Sequence, residues 1–105
     1  MTANEVTKKI KDYLNQQPKT LVWRNTTVPV RGRKYTGRKG VGDLIGISDG
    51  IHIEIEVKVG ADIMRPEQYK HRGAVLRCGG VYYIAHSFLE FYLWWTQDYP
   101  EDQPF

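Results

Sequence analysis

Cysteine is nearly missing from this 105-residue chain, which has only Cys78. A lone thiol excludes a disulfide framework and a Cys-rich zinc site. At the end of a helical stretch it reads as a quiet residue rather than a reactive one. His52, His71 and His86 lack the tight spacing of a zinc-ligand set. No apolar run approaches the roughly 20 residues that span a bilayer, and the opening Met1-Thr2-Ala3-Asn4-Glu5 lacks an apolar signal core. These absences predict a protein of the reducing cytoplasm (the host's, if a virus encodes it) with no membrane partner. No repeat is visible. The glycines from Gly37 to Gly46 are not followed by Gly-Lys-Ser/Thr, which excludes a Walker-type phosphate loop. Ser48 beside a turn and Ser87 at a helix start leave no positioned nucleophile for Ser/His/Asp catalysis. Acidic residues are scarce in the front half. Only Glu5 and Asp12 precede Val41, against ten Lys and Arg; five basic residues face ten acidic ones after it. A basic half joined to an acidic cluster points to a polyanion held by one part and a metal by the other. The plain alternative is solvated surface charge.

What is present fits one domain, organised around residues 42–59. Asp49-Gly50 between two apolar-patterned runs is a hairpin signal. Beyond it the alternation is strict: Ile51, Ile53, Ile55, Val57 and Val59 point one way, and His52, Glu54, Glu56 and Lys58 the other. A two-residue turn pairs Ser48 with Ile51 and brings Asp43 opposite Glu56 on one face. Directly opposed Cβ atoms lie about 4.5–5.5 Å apart. Two carboxylates so placed repel, and Glu54 on the same face adds to the repulsion. Such a cluster needs a cation, a raised pKa or open water. A divalent metal is the sharpest of these readings, and Lys58 beside Glu56 then suits phosphodiester hydrolysis.

In chain order, residues 4–16 predict a helix with the stripe Val6, Ile10, Tyr13, Leu14. Its cap is Asn4, or a box of Thr2 with Glu5. Glu5 therefore has either a capping role or a role as a third carboxylate near the metal. Thr20 to Asn25 reads as a strand with Leu21 and Trp23 on one face, continuing or bending through Thr26 to Val30. Arg31 to Gly42 is too rich in glycine and charge for a buried element. Arg31, Arg33, Lys34, Arg38 and Lys39, with the aromatic Tyr35, make an arm suited to phosphates, or else a plain surface loop. Pro66 opens a second helix that stops at Gly79-Gly80. Tyr69, Val75 and Leu76 are its expected apolar side; Gln68 and Arg72 lie on another, facing solvent or the carboxylates. Val81 to His86 is a strand. Ser87-Phe88-Leu89-Glu90 is a capping-box pattern opening a last helix. That helix holds more apolar residues than one buried stripe needs, so it packs within a small monomer or is covered by a second subunit.

Gly42-Asp43 at a strand start, Glu56-Val57-Lys58 on the next strand and the Gln68-bearing helix running into Gly79-Gly80-Val81-Tyr82-Tyr83 resemble the PD-(D/E)XK nuclease superfamily, and within it the VRR-NUC group. The resemblance runs from Glu5 to Ser87. It implies an α/β (α+β type) mixed sheet with a restriction-endonuclease-like αβββαβ core and an extra C-terminal helix. It implies Mg²⁺- or Mn²⁺-dependent cleavage of DNA: duplex, flap or four-way junction. Asp43 and Glu56 would be metal ligands, with the Val57 carbonyl beside them and Glu5 reaching the site as in some relatives. Lys58 would position the attacking water, and Gln68 would line the site. Gly42 stands where the family usually has proline. Small stand-alone relatives resemble Holliday-junction resolvases, which implies a homodimer. Two other classes stay open: a non-catalytic nucleic-acid-binding module with this fold, and a protein-interaction domain using the basic loop.

Overall fold

In a computed structural model, residues 1–25 and 38–97 are described. The elements run α1 (Ala3–Leu14), β1 (Thr20–Arg24), β2 (Leu44–Ser48), β3 (Ile51–Val57), α2 (Pro66–Arg77), β4 (Val81–Ala85) and α3 (Phe88–Thr96). The described residues form an α+β arrangement with a four-stranded mixed sheet and three helices. The expected continuation of the first strand through Thr26 to Val30 and the polar tail from Tyr99 lie outside the described residues.

The turn chemistry sets the sheet's register. Asp49 and Gly50 both have positive φ, 50° and 80°, as a two-residue turn matched to the twist of the strands requires. Ser48 therefore pairs with Ile51, and Leu44 with Ile55. Strand β1 adds antiparallel to β2, and β4 lies parallel to β3 after the α2 crossover, giving the order β1-β2-β3-β4. The central rung of the outer edge of β1 is taken by one side chain. The Asn15 Oδ1 accepts from the Val22 N–H at 2.8 Å, and the Asn15 Nδ2 donates to the Val22 carbonyl at 3.0 Å. Asn15 thus supplies the donor and acceptor of a neighbouring strand.

The main core lies on one side of the sheet. The stripe Val6, Ile10 and Leu14 packs with Val22, Leu44, Ile53, Ile55, Val57, Tyr83, Ala85, Phe91 and Trp94. Helices α1 and α3 cover this face. Tyr83 stacks on Trp94 with centroids 4.1 Å apart, a contact that adds geometric preference to area burial. Helix α1 begins at a capping box. The Thr2 Oγ1 accepts from the Glu5 N–H, and the Glu5 carboxylate accepts from the Thr2 N–H, both at 3.2 Å. Ser87 caps α3 by accepting from the Glu90 N–H at 3.1 Å. The expected reciprocal half of that box is replaced by a contact of the Glu90 carboxylate with the Tyr83 hydroxyl.

The opposite face differs from expectation. Tyr69 and Leu76 are exposed; the buried residues of α2 are His71 and Val75. The helix is turned this way because the strands beneath it present the carboxylates of Glu54 and Glu56, which need donors and find them in His71 and Gln68. A small second cluster of Val75, Tyr82 and Ile84, flanked by Met64, supplies its apolar contact. On α3, Phe91 and Trp94 are buried while Leu89, Tyr92 and Leu93 are exposed. No helix among the described residues is long and apolar enough to cross a membrane.

Candidate active site

The hairpin register carries β3 past the start of β2, and Asp43 lies at that step. Its Oδ2 accepts from the Val57 N–H at 2.8 Å. The N–H and C=O of one strand residue point to the same neighbour, so the Val57 carbonyl also faces the Asp43 side. The Asn25 N–H donates to the Asp43 carbonyl at 2.9 Å, fixing the backbone from the other side.

Glu56 is buried beside Asp43. The Gln68 Nε2 donates to its Oε1 at 3.0 Å, while the Gln68 Oε1 accepts from the Arg65 N–H at 2.8 Å. One amide thus closes the start of α2 and orients Glu56. Lys58 is 4% exposed, and its ammonium stands 3.6 Å from Glu56 and 3.5 Å from Asp62. Burial, and next the negative charge of Asp43, push Glu56 up to about 8; Lys58 offsets only part of this. At neutral pH the carboxylate pair therefore holds a proton or a cation.

The donor set fits a hard divalent ion. Two carboxylates and a carbonyl are oxygen ligands of the kind Mg²⁺ and Mn²⁺ take, and Mg²⁺ characteristically keeps several waters rather than a full protein cage. Among the described residues no group of three or more His, Cys, Asp and Glu side chains could hold a metal. Such an ion would rest on Asp43, Glu56 and the Val57 carbonyl. Glu5 takes the capping role of its two expected alternatives: its carboxylate closes the Thr2 cap, and it lines neither cavity beside the carboxylates.

Glu54 also departs from expectation. Burial alone would raise its pKa, but hydrogen bonds from His52, the Gly42 N–H and His71 outweigh that and lower it. It is not part of a repelling trio. Gly42 stands where the resemblance expects proline, and its N–H donates to the Glu54 Oε1 at 2.9 Å, a bond proline cannot make. The substitution thus changes hydrogen bonding as well as backbone stiffness.

Two cavities, of about 380 and 350 Å³, open on either side of the carboxylates and share Asn25, Asp43, Glu56, Arg65 and Gln68. Arg38 and Lys39 border the first, and Arg24 and Lys58 the second. A larger cavity of about 520 Å³ lies elsewhere, between α1 and the start of α3, and holds none of these groups. The fold thus brings together Asp43, Glu56, Val57, Lys58 and Gln68, with Arg38 and Lys39 at the rim. Arg31, Arg33, Lys34 and Tyr35 lie outside the described residues. Sequence reasoning missed His71, Arg65 and Asn25. The signal for His71 was its place three residues after Gln68 and four before Val75, on the inward face of α2. No protein-family model matches the chain, and no characterised protein or solved structure is similar enough to match.

Proposed function

We propose that this chain is a metal-dependent DNA endonuclease of the PD-(D/E)XK type, similar to the VRR-NUC group. The observation that carries the reading is the pairing of buried Glu56 with Asp43, with Lys58 and Gln68 against the same carboxylate. The element order of helix, three strands, helix, strand and helix fits a restriction-endonuclease-like core with an added terminal helix. The basic residues ahead of Val41 suit a DNA backbone.

In this mechanism Asp43 and Glu56 hold Mg²⁺ or Mn²⁺, whose chemistry when bound is to acidify a water and draw charge from the phosphate. Asp43 is held for that task by the Val57 N–H, and Glu56 by the Gln68 amide. Lys58 brings a buried, fixed positive charge to the site, orients the attacking water and stabilises charge developing on the phosphate without reorganisation. Arg38 and Lys39 hold the strand at one mouth of the cleft, and Arg24 at the other. The substrate class is DNA with a structural feature such as a flap or four-way junction. Symmetric cutting of a junction needs two such sites, and a second copy of the chain supplies the other. Leu89, Tyr92 and Leu93, exposed on α3, are apolar surface available for that contact.

The test is cleavage of labelled linear duplex, single strand, flap and four-way junction with Mg²⁺ or Mn²⁺, with EDTA and Glu56→Ala as controls. Cutting that needs metal and Glu56 is expected. Binding without cutting in every metal would replace the nuclease with a nucleic-acid-binding module. Neither binding nor cutting would favour a protein-interaction domain.

A further inference from the structure

The proposed mechanism leaves Glu54 without a role, although at 1% exposure it is more deeply buried than Glu56 or Lys58. Three donors converge on it. The His52 Nε2 lies 2.7 Å from Oε2, the His71 Nε2 lies 2.9 Å from both oxygens, and the Gly42 N–H lies 2.9 Å from Oε1. Behind His71, the Arg38 Nε donates to His71 Nδ1 at 2.8 Å. A guanidinium only donates. Nδ1 is therefore the acceptor, and the ring hydrogen sits on Nε2 and points at Glu54. One carboxylate is thus tied to the segment 38–43 twice: to its backbone at Gly42 and, through one imidazole, to the Arg38 side chain.

The same segment is fixed in two further ways. The Tyr82 hydroxyl donates to the Gly40 carbonyl at 3.2 Å. Gly40 has φ +86° and lies so close to α2 that a Cβ there would collide with the Glu67 carbonyl oxygen. Asp43 ends this segment, and Arg38 at its start borders the 380 Å³ cavity.

We propose that Glu54 and His71 are positioning residues: they hold Gly42 so that Asp43 meets Glu56, and they hold Arg38 at the rim where it meets a DNA phosphate. The inference rests on the nuclease reading for its substrate. A pair that only filled the space under α2 would change stability and leave the contributions of Arg38 and His71 independent.

A double-mutant cycle on the full chain separates the two roles. Arg38→Ala, His71→Phe and the double variant are compared for kcat and KM on a labelled duplex with Mn²⁺. His71→Phe is expected to raise KM about tenfold, with Arg38→Ala adding less than about twofold on top of it. His71→Gln, whose amide can donate to Glu54 and accept from Arg38, should restore most of the loss. Effects that multiply, or no rescue by glutamine, would overturn the proposal. Should His71→Phe fail to fold by circular dichroism, Arg38→Lys carries the test. It keeps the charge and loses the Nε–H, so KM should rise as in Arg38→Ala; a KM equal to that of the parent chain would overturn the pairing. A ¹⁵N NMR measurement of the His71 imidazole is independent of catalysis. An Nε2–H tautomer is expected, and an Nδ1–H tautomer would overturn the pair. If no DNA is cut and the Nε2–H tautomer is found, the nuclease reading has failed and the positioning of segment 38–43 stands.

Discussion

A carboxylate that prefers its proton at neutral pH is a liability in an ordinary core, and Glu56 is such a group. Its pKa is raised in the folded chain. Between its ordinary range, near 4.5, and about 8, the folded state holds a proton that the unfolded state has lost. Stability from this group is therefore present at low pH and falls as pH rises through that window. In EDTA, Glu56→Gln should melt above the parent protein at pH 8, with the gap closing toward pH 5. Thermal melts at both pH values check this, and a constant gap would place the strain elsewhere. Lys58 has a separable role. Lys58→Met keeps much of the buried stem and removes the charge, so cleavage should fall by at least about 100-fold, with DNA affinity changed less than about threefold. Parallel loss of both would remove Lys58 from the chemistry. Asp43, Glu56 and Lys58 were legible in the sequence because strict alternation and one turn dictate their face. The quieting of Glu54 was not legible: its donors His71 and Gly42 come from a helix and a loop whose docking no local pattern encodes.

The elements differ in how well the sequence describes them. Helix α1 ends within two residues of expectation because the stripe Val6, Ile10, Leu14 and the Thr2–Glu5 box are local features. Helix α2 ends where expected, at Cys78 and Gly79, and buries Val75 and turns Gln68 to the carboxylates as one reading allowed, yet Tyr69 and Leu76 of its expected apolar side are exposed. Its inward side is Gln68, His71 and Val75, a mixed polar stripe that makes sense only over acidic strands. The contrast is measurable. Val75→Ala removes buried methyl groups and should cost roughly 1–3 kcal/mol. Leu76→Ala, one residue on and exposed, should stay within about 0.5 kcal/mol. Chemical denaturation of both variants decides it, and equal losses would mean that α2 is rotated.

At the scale of the molecule, charge and shape divide the labour. Ten of the fifteen Lys and Arg side chains precede Val41, and the carboxylate pair follows it. Phosphate contacts by Arg33, Arg38 or Lys39 should therefore appear as salt dependence. Each substitution to alanine should reduce the slope of log affinity against log salt by about 1. Titrations between low and moderate salt test this, and an unchanged slope would move the DNA surface to the Arg24 mouth of the cleft. Charge asymmetry was legible from composition alone. The division of the cleft into two mouths was not, because Arg65 and Asn25 reach it only after the chain has folded back.

Asn15 determines one more property of the whole. Its amide occupies the donor and acceptor of Val22, the central rung on the outer rim of β1, so a passing chain finds that rung already taken. Neighbouring Leu21 and Trp23 are both exposed and would otherwise make that rim sticky. Asn15→Ala should leave the site chemistry alone and turn the protein into one that grows by strand addition. Light scattering on concentrated samples should rise within hours, while the parent stays clear.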